Sequence, residues 1–385
     1  MISMMNLRLG LLAFCIVGSA QAFSADLFKV APYTLKHTNG QLLLNFQLNE
    51  DKKLVIEDGQ KIKRSFEYKK GIHYQTELGK EECGVSKDLR IRDTGTNEVV
   101  FTKNYEGLSC TEGSRAPDYT FGFISDTQQY KDRHEAIAQV IAYHHSMDPL
   151  QFLINGGDVV QNGQKDEQEW IEYFLGGKAY LMDVPQIAAI GNHDYRGHKI
   201  DYALPKFFQK YMRWEGSPAN GNLFFEMPGF QLVIWNSNVG DLKSDEEDQM
   251  WTWLEQKMQA AQKSNTPLIF VTHFPVYSSS LNKFTSFAVM KLRRKLVPMV
   301  EKYGVKLVLS GHTHMYERSF KDGVHYLVAG PAGGRVNKPT FKNPYVQKFD
   351  SNALTFTKVK YSNRTLKIET FNQDNTLIDQ LFLNL

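Results

Sequence analysis

From Leu27 to about Pro117, apolar and polar positions alternate in short runs broken by turn residues. Leu42, Leu44, Phe46 and Leu48 recur at every second position, and Leu54 and Ile56 repeat the alternation. Leu89 and Ile91 lead through an Asp93-Thr94-Gly95 turn to Val99-Val100-Phe101. A period of two puts one set of side chains on one face of a pleated strand, so these runs predict antiparallel strands with one buried face. The region reads as a small all-β sandwich, over residues 23–116. It has none of the clustered His, Asp and Glu that a chemical site needs, which makes it a scaffold.

Beyond Pro117 the period changes. Thr120–Ile124, Phe152–Asn155, Gln186–Ile190, Leu268–Val271 and Leu307–Leu309 are short apolar runs, too short for helices and continuous enough to be strands buried on both faces. Between them lie helical patterns. Ile137, Val140, Ile141 and His144 share one face of Tyr130–Met147, and Met250, Leu254, Met258 and Ala261 share one face of Asp245–Ser264. Strands separated by helices predict an α/β domain, assigned to residues 117–385. Its last part returns to strands at Tyr326–Ala329, Leu354–Val359, Thr365–Phe371 and Leu377–Leu383.

Composition narrows the class. Of 385 residues, 42% are hydrophobic and 12% aromatic, which excludes a disordered chain. The 45 Lys and Arg against 42 Asp and Glu give a charge of +3 without any basic run, so neither a nucleic-acid surface nor an anionic-lipid surface is evident. No apolar run reaches the roughly 18 residues of a membrane span. Arg8, the apolar stretch Leu9–Ala20 and the Ala20-Gln21-Ala22 site read as a signal peptide over residues 1–22, and predict a secreted or periplasmic protein. Cys15 leaves with that segment. The remaining Cys83 and Cys110 are an even pair in an oxidising compartment and are expected to form a disulfide.

The chemistry is concentrated at the carboxyl ends of the five buried strands. In chain order these carry Ser125-Asp126-Thr127-Gln128, Gly156-Gly157-Asp158, Gly191-Asn192-His193-Asp194, Thr272-His273 and Gly311-His312-Thr313-His314. Ligands of open α/β sheets bind beyond the carboxyl ends of strands, so these five loops should converge. Carboxylate, amide and imidazole donors without a thiolate suit hard-to-borderline divalent metals.

The same set in the same order resembles the calcineurin-like metallophosphoesterase superfamily. Gly311 to Arg318 (GHTHMYER), His273 to Ser278 (HFPVYS) and the preceding β-domain look most like its purple acid phosphatase branch. The resemblance implies a metallophosphoesterase αββα sandwich, with the amino-terminal sandwich similar to fibronectin III domains. It also implies two divalent metal ions (Mn, Zn or Fe). By position, Asp126, Asp158 and His314 would hold the first metal, with Gln128 as an amide-oxygen ligand to it. Asp158 would bridge to the second, held also by Asn192, His273 and His312. His193 would stabilise the transition state or protonate the leaving oxygen, with Asp194 orienting it. Two departures stand out. Gln161 takes the place of the metal-binding tyrosine that colours the purple enzymes, and Gln128 replaces the branch's Gly.

The function implied is an exported two-metal phosphatase that hydrolyses phosphomonoesters of a small-molecule substrate, through a metal-bridging hydroxide. A phosphodiesterase or nucleotide pyrophosphatase using the same site is the alternative, and a non-catalytic surface-binding protein is a lesser one. Arg196, His198, Tyr277, Tyr316 and Arg318 lie in the same loops as substrate-contact candidates. The segment from Arg196 to Asn222, with Phe207, Phe208, Tyr211 and Trp214, is expected to form a pocket wall or lid.

Overall fold

The computed structural model describes residues 23–59, 61–82, 84–105, 118–197, 199–240 and 242–385. The signal segment 1–22 and both Cys83 and Cys110 lie outside the described residues, as does His198.

Side chains that alternate along the central strands point into two different cores, which is why those strands read as continuous apolar runs. Phe121, Phe123, Phe152 and Ile154 meet Leu232, Ile234, Ile269, Val271 and Leu309 in a layer between two sheets. Their neighbours Ile124 and Leu153 turn outward against the helices Lys131–Met147 and Glu167–Gly176. Val233, Trp235 and Phe270 turn outward against Ser244–Lys263 and Phe287–Lys302. Helix, sheet, sheet and helix therefore stack as four layers.

The first sheet has nine strands in the order Leu377–Asn384, Thr365–Asn372, Thr355–Ser362, Tyr119–Ile124, Phe152–Asn155, Gln186–Ala188, Phe28–Lys36, Gln41–Leu48 and His73–Lys80. The second has seven, Leu223–Met227, Phe230–Trp235, Leu268–Thr272, Leu307–Ser310, Val324–Ala329, Tyr316–Lys321 and Val346–Asp350. Tyr119–Ile124, Phe152–Asn155 and Gln186–Ala188 run parallel in one sheet, and Leu268–Thr272 and Leu307–Ser310 run parallel in the other. The five site-bearing strand ends thus come from two facing sheets, as the expected αββα sandwich requires.

The amino-terminal strands form a sandwich of three on four. Phe28–Lys36, Gln41–Leu48 and His73–Lys80 face the four-stranded sheet Lys61–Tyr68, Lys52–Asp58, Lys87–Asp93 and Val99–Tyr105. The alternating Leu42, Leu44, Phe46 and Leu48 fill its core with Leu54, Ile56, Leu89 and Ile91. The opposite face is not in water. Val30, Tyr33, Leu35 and Leu43 share a core with Ile137, Trp170 and Phe174 of the α/β region. Leu35 pairs with Gln186 in parallel register, and Tyr33 Oη donates to the Tyr211 carbonyl at 2.8 Å. A buried Lys36–Glu81 ion pair lies at this junction.

The segment after Arg196 is also core. Phe208, Tyr211 and Met212 of the helix Lys206–Met212 are buried in the layer beneath the first sheet, and Trp214 packs on His37 with ring centroids 4.5 Å apart. These aromatic side chains brace the two regions against each other, so the expected lid is replaced by a brace. Among the described residues no helix is long and apolar enough to cross a membrane.

His134 makes folding pH-dependent. It is 1% exposed, stacked on Tyr173 at 5.1 Å, with Nε2 3.0 Å from Tyr180 Oη. Burial lowers its pKa to about 3. Between that value and about 6.5 the unfolded chain binds a proton that the folded chain refuses. Stability therefore falls as pH drops through this window, by up to about 1.4 kcal/mol per pH unit from this group. Calorimetric melting from pH 7 to 4 should show a shallower decline for His134→Phe than for the native chain; equal slopes would remove His134 as the cause.

Candidate metal centre

Three of the five turns that follow the site strands place a ligand-type residue in the left-handed backbone region. Asp126, Asp158 and His312 all have positive φ, at 55°, 54° and 66°, a region that non-glycine residues rarely occupy. Their glycine neighbours permit the close approach of the loops. A Cβ at Gly191 would lie 2.1 Å from Asp158 Oδ1, and one at Gly311 would lie 2.6 Å from Asp126 Oδ2. Seven other non-glycine residues share this conformation among the described residues, but Asp126, Asp158 and His312 are the ones that carry it beside one another at strand ends with metal-ligand chemistry.

The side chains fall into two clusters joined by Asp158. On one side His314 Nε2 is 3.3 Å from Asp126 Oδ1 and 3.2 Å from Gln128 Nε2. On the other, His273 Nε2 is 3.2 Å from Asp158 Oδ2, and the ligand atoms of Asp158, His273 and His312 all lie within 4.8 Å of one another. Gln128 Nε2 reaches Asp158 Oδ2 at 3.4 Å, which closes the link between the clusters. Backbone carbonyls fix the imidazoles: Gly156 O is 2.9 Å from His273 Nδ1, and Arg335 O is 2.7 Å from His314 Nδ1. Each ring then directs Nε2 inward, the arrangement a metal-ligating imidazole needs.

The buried charges are mutually dependent. Burial opposes ionisation of Asp158, yet His273, His193 and His312 hold its carboxyl below the ordinary carboxylate range. Burial likewise opposes a charged His273, but the Asp158 carboxylate outweighs it and lifts the ring to about 9. The carboxylate draws positive charge onto His273 Nε2, and a divalent cation between the two satisfies the same demand. Asn192 Oδ1 and Gln128 Oε1 are buried without a hydrogen-bond partner among the described residues. Buried acceptors of this kind call for a cation or a donor. For Gln128, a half-turn of the amide exchanges Nε2 for Oε1 at the centre. The donor types suit divalent metal: Asp158, His273 and His312 are close enough together to hold an ion, and Asp126, Gln128 and His314 form a neighbouring group of the same chemistry.

His193 stands beside this set. Its Nδ1 meets the Gln161 carbonyl at 3.1 Å and its Nε2 is 3.9 Å from Asp158 Oδ2. Asp194 does not orient it. Both oxygens of the fully buried Asp194 are taken by backbone N–H groups of Gly191, Asp158, Val159 and Val160, at 2.8 to 3.3 Å. A carboxylate is the side chain able to collect so many donors at once, and this one ties the Asp158 loop to the Asn192 loop.

Other loop candidates lie elsewhere. Tyr316 Oη and the Arg318 guanidinium both bind Asp379, and Tyr277 packs between Tyr326 and Tyr345. Arg196 is exposed, and its charge helps to lower the pKa of His193. Two contributors were missed. Residues 330–334 follow the strand Val324–Ala329 and wrap the first cluster: Gly333 and Gly334 N–H donate to the Asp126 carbonyl at 3.0 and 2.9 Å. The Gly330-Pro331-Ala332-Gly333-Gly334 run after a buried strand was the available signal. Lys283, half-buried on the short helix Leu281–Phe284, is the other: burial lowers its pKa and the charges of Asp158 and Asp126 oppose that shift.

The sequence pattern of the Calcineurin-like phosphoesterase family matches residues 119–316, just over half of the chain. The chain belongs to this family. Among curated relatives of this family member, an acid phosphatase of Aspergillus ficuum is 30% identical over 38% of the chain and 25% of its own length. A purple acid phosphatase of Glycine max is 24% identical over 70% of the chain and 58% of its own length. The chain thus spans from a quarter to less than two thirds of these relatives. Among solved structures, purple acid phosphatase PPD1 of yellow lupin superposes with a TM-score of 0.69 at 15% identity, over 92% of this chain and 74% of that one. PhoD superposes at 0.67 and 12% identity, over 94% and 93%. These structural likenesses establish the phosphoesterase fold with its amino-terminal sandwich.

Proposed function

We propose that the protein is an exported phosphatase that uses two divalent metals to hydrolyse phosphomonoesters of small molecules. The observation that supports this reading best is the placement of Asp158 between two clusters of carboxylate, amide and imidazole donors. The names of the relatives, acid phosphatase and purple acid phosphatase, agree with it. Export follows from reading residues 1–22 as a signal peptide, and a Cys83–Cys110 disulfide follows from export.

Two divalent cations bound here would supply Lewis acidity toward the phosphoryl oxygens and lower the pKa of a bound water. The protein's own part is positional. Asp126, Asp158 and the inward Nε2 atoms hold the centre, and the Asp194 clamp fixes the spacing of two of its loops. His193 is anchored at Nδ1, so a proton held at Nε2 is delivered toward the leaving oxygen. Burial pushes the His193 pKa down, aided by Arg196 and opposed by Asp158, which makes such a proton easy to release.

The test is metal-reconstituted protein assayed on a monoester panel beside His193→Ala. The variant should lose about 10²–10⁴-fold in kcat, the usual scale of proton-transfer catalysis, with metal content unchanged. Loss of metal from His193→Ala would show that this ring is structural, and absence of any phosphoester hydrolysis by the metal-loaded native chain would defeat the reading itself.

A further inference from the structure

Two threonines stand between donor residues of the centre, Thr127 between Asp126 and Gln128 and Thr313 between His312 and His314. Both side chains are buried, and both hydroxyls are bonded to a different loop. Thr127 Oγ1 donates to the Val159 carbonyl at 2.8 Å and accepts from Asn155 Nδ2 at 3.2 Å. Asn155 Oδ1 in turn accepts from Gly157 N at 3.1 Å. The loop of Asp126 therefore grips the residue on each side of Asp158. Thr313 Oγ1 accepts from Ser278 Oγ at 3.1 Å, and Ser278 Oγ also accepts from Ser280 N at 3.1 Å. Ser278 lies five residues beyond His273, so this bond fastens the His273 connection to the loop of His312 and His314.

Both bonds cross between the two donor groups. Thr127 lies among residues of the Asp126, Gln128 and His314 group and holds the turn of Asp158, which belongs to the other. Thr313 separates one histidine of each group and holds the connection that carries His273. Asp126, Asp158 and His312 all have positive φ, a conformation that persists only where the surroundings fix it. A threonine suits that task, because its branched Cβ restricts χ1 and a buried hydroxyl can donate and accept at once. Valine has the same branching without either bond, and serine keeps the bonds without the branch.

We propose that Thr127 and Thr313 are positioning residues, which hold the Asp126, Gln128 and His314 group in a fixed relation to the Asp158, His273 and His312 group and so set the separation of two divalent ions bound there. The proposal rests on the two-metal reading above. The threonines act through Val159, Asn155 and Ser278 and are not themselves ligands. Loss of either hydroxyl lets two loops move apart, and one Asp158 carboxylate then no longer serves both positions.

The experiment loads the full chain with Mn(II) and follows binding by calorimetry and by electron paramagnetic resonance. Two Mn(II) ions that share a carboxylate are exchange-coupled, whereas separated ions give the hyperfine pattern of an isolated ion. The native chain should take up two equivalents and show the coupled spectrum. Thr127→Val and Thr313→Val should lose about 10–100-fold in affinity for the second equivalent, the usual scale for removing a group that orients a metal ligand, and should show the isolated pattern. Thr127→Ser and Thr313→Ser should keep the coupled spectrum and stay within about 3-fold of native affinity, because the hydroxyl remains. Where a valine variant does not fold, Ser278→Ala removes the donor to Thr313 with both threonines in place, and should reproduce the loss of coupling. Native affinity and coupling in the valine variants, or losses in the serine variants as large as those of valine, would overturn the proposal. A native chain that takes up a single uncoupled Mn(II) would defeat the two-metal reading instead. Its affinity for that ion then decides whether Thr313 orients His273 and His312: weaker binding by Thr313→Val supports this, and equal binding overturns it.

Discussion

Asp158→Asn is expected to abolish turnover and to deplete metal from both halves of the centre. The side chain keeps its size, so the loop can still close, and Oδ1 can still accept the His193 N–H that now lies at 2.7 Å. What changes is charge. Asp158 is the carboxylate common to the His273 side and the Gln128 side, at 3.2 and 3.4 Å. A unit charge pair at about 4 Å is worth about 4 kcal/mol at an effective dielectric constant of 20, and each dication loses more than that when the shared anion becomes an amide. That corresponds to roughly 10³-fold or more in affinity at each position. Elemental analysis beside kinetics checks it. A variant that retained two equivalents of metal and native turnover would show that Asp158 does not join the two positions.

Asp194→Asn should be nearly as damaging, by a different route. Four backbone N–H groups converge on this carboxylate, and an asparagine offers one acceptor oxygen and presents an amide N–H₂ to the rest. Donors left unsatisfied in a buried site cost about 1–3 kcal/mol each. Two such losses would lower stability by roughly 2–6 kcal/mol, and would release the Asp158 loop from the Asn192 loop. The expected outcome is a lower melting temperature together with weaker metal binding. If Asp194 served only to orient His193, as its place in the motif suggests, the variant would keep its metals and its stability and lose only kcat. The 3.1 Å contact of His193 with the Gln161 carbonyl argues against that outcome.

Local pattern carried much of this protein. The alternation of Leu42, Leu44, Phe46 and Leu48 specified a half-buried strand, and the apolar runs near Phe121, Ile154, Val271 and Leu309 specified strands buried on both faces. Helix Lys131–Met147 begins one residue from its expected start, and Ile137, Val140, Ile141 and His144 are all buried as their spacing required. The convergence of Asp126, Asp158, His273, His312 and His314 was legible too, because residues with metal-ligand chemistry stood at successive strand ends.

Side-chain direction and long-range partners were not legible, since they depend on which elements face each other. Asp194 beside His193 reads as its orienting carboxylate, but the turn at positive φ through Asp158 brings three backbone donors to it and Gly191 of its own loop supplies a fourth. Phe208 and Tyr211 read as a lid, yet the helix that carries them packs inward against Trp170 and Phe174. Lys283 lies ten residues beyond His273 without a motif of its own, and only the fold brings the charges of Asp158 and Asp126 to bear on it. The amino-terminal strands present the same contrast. Alternation identified the sandwich from the face that holds Leu42 and Leu44. The burial of Val30, Tyr33 and Leu43 against the α/β helices, and the continuation of their sheet through Leu35 and Gln186, required the tertiary structure, because a backbone edge pairs with whatever strand the chain delivers to it.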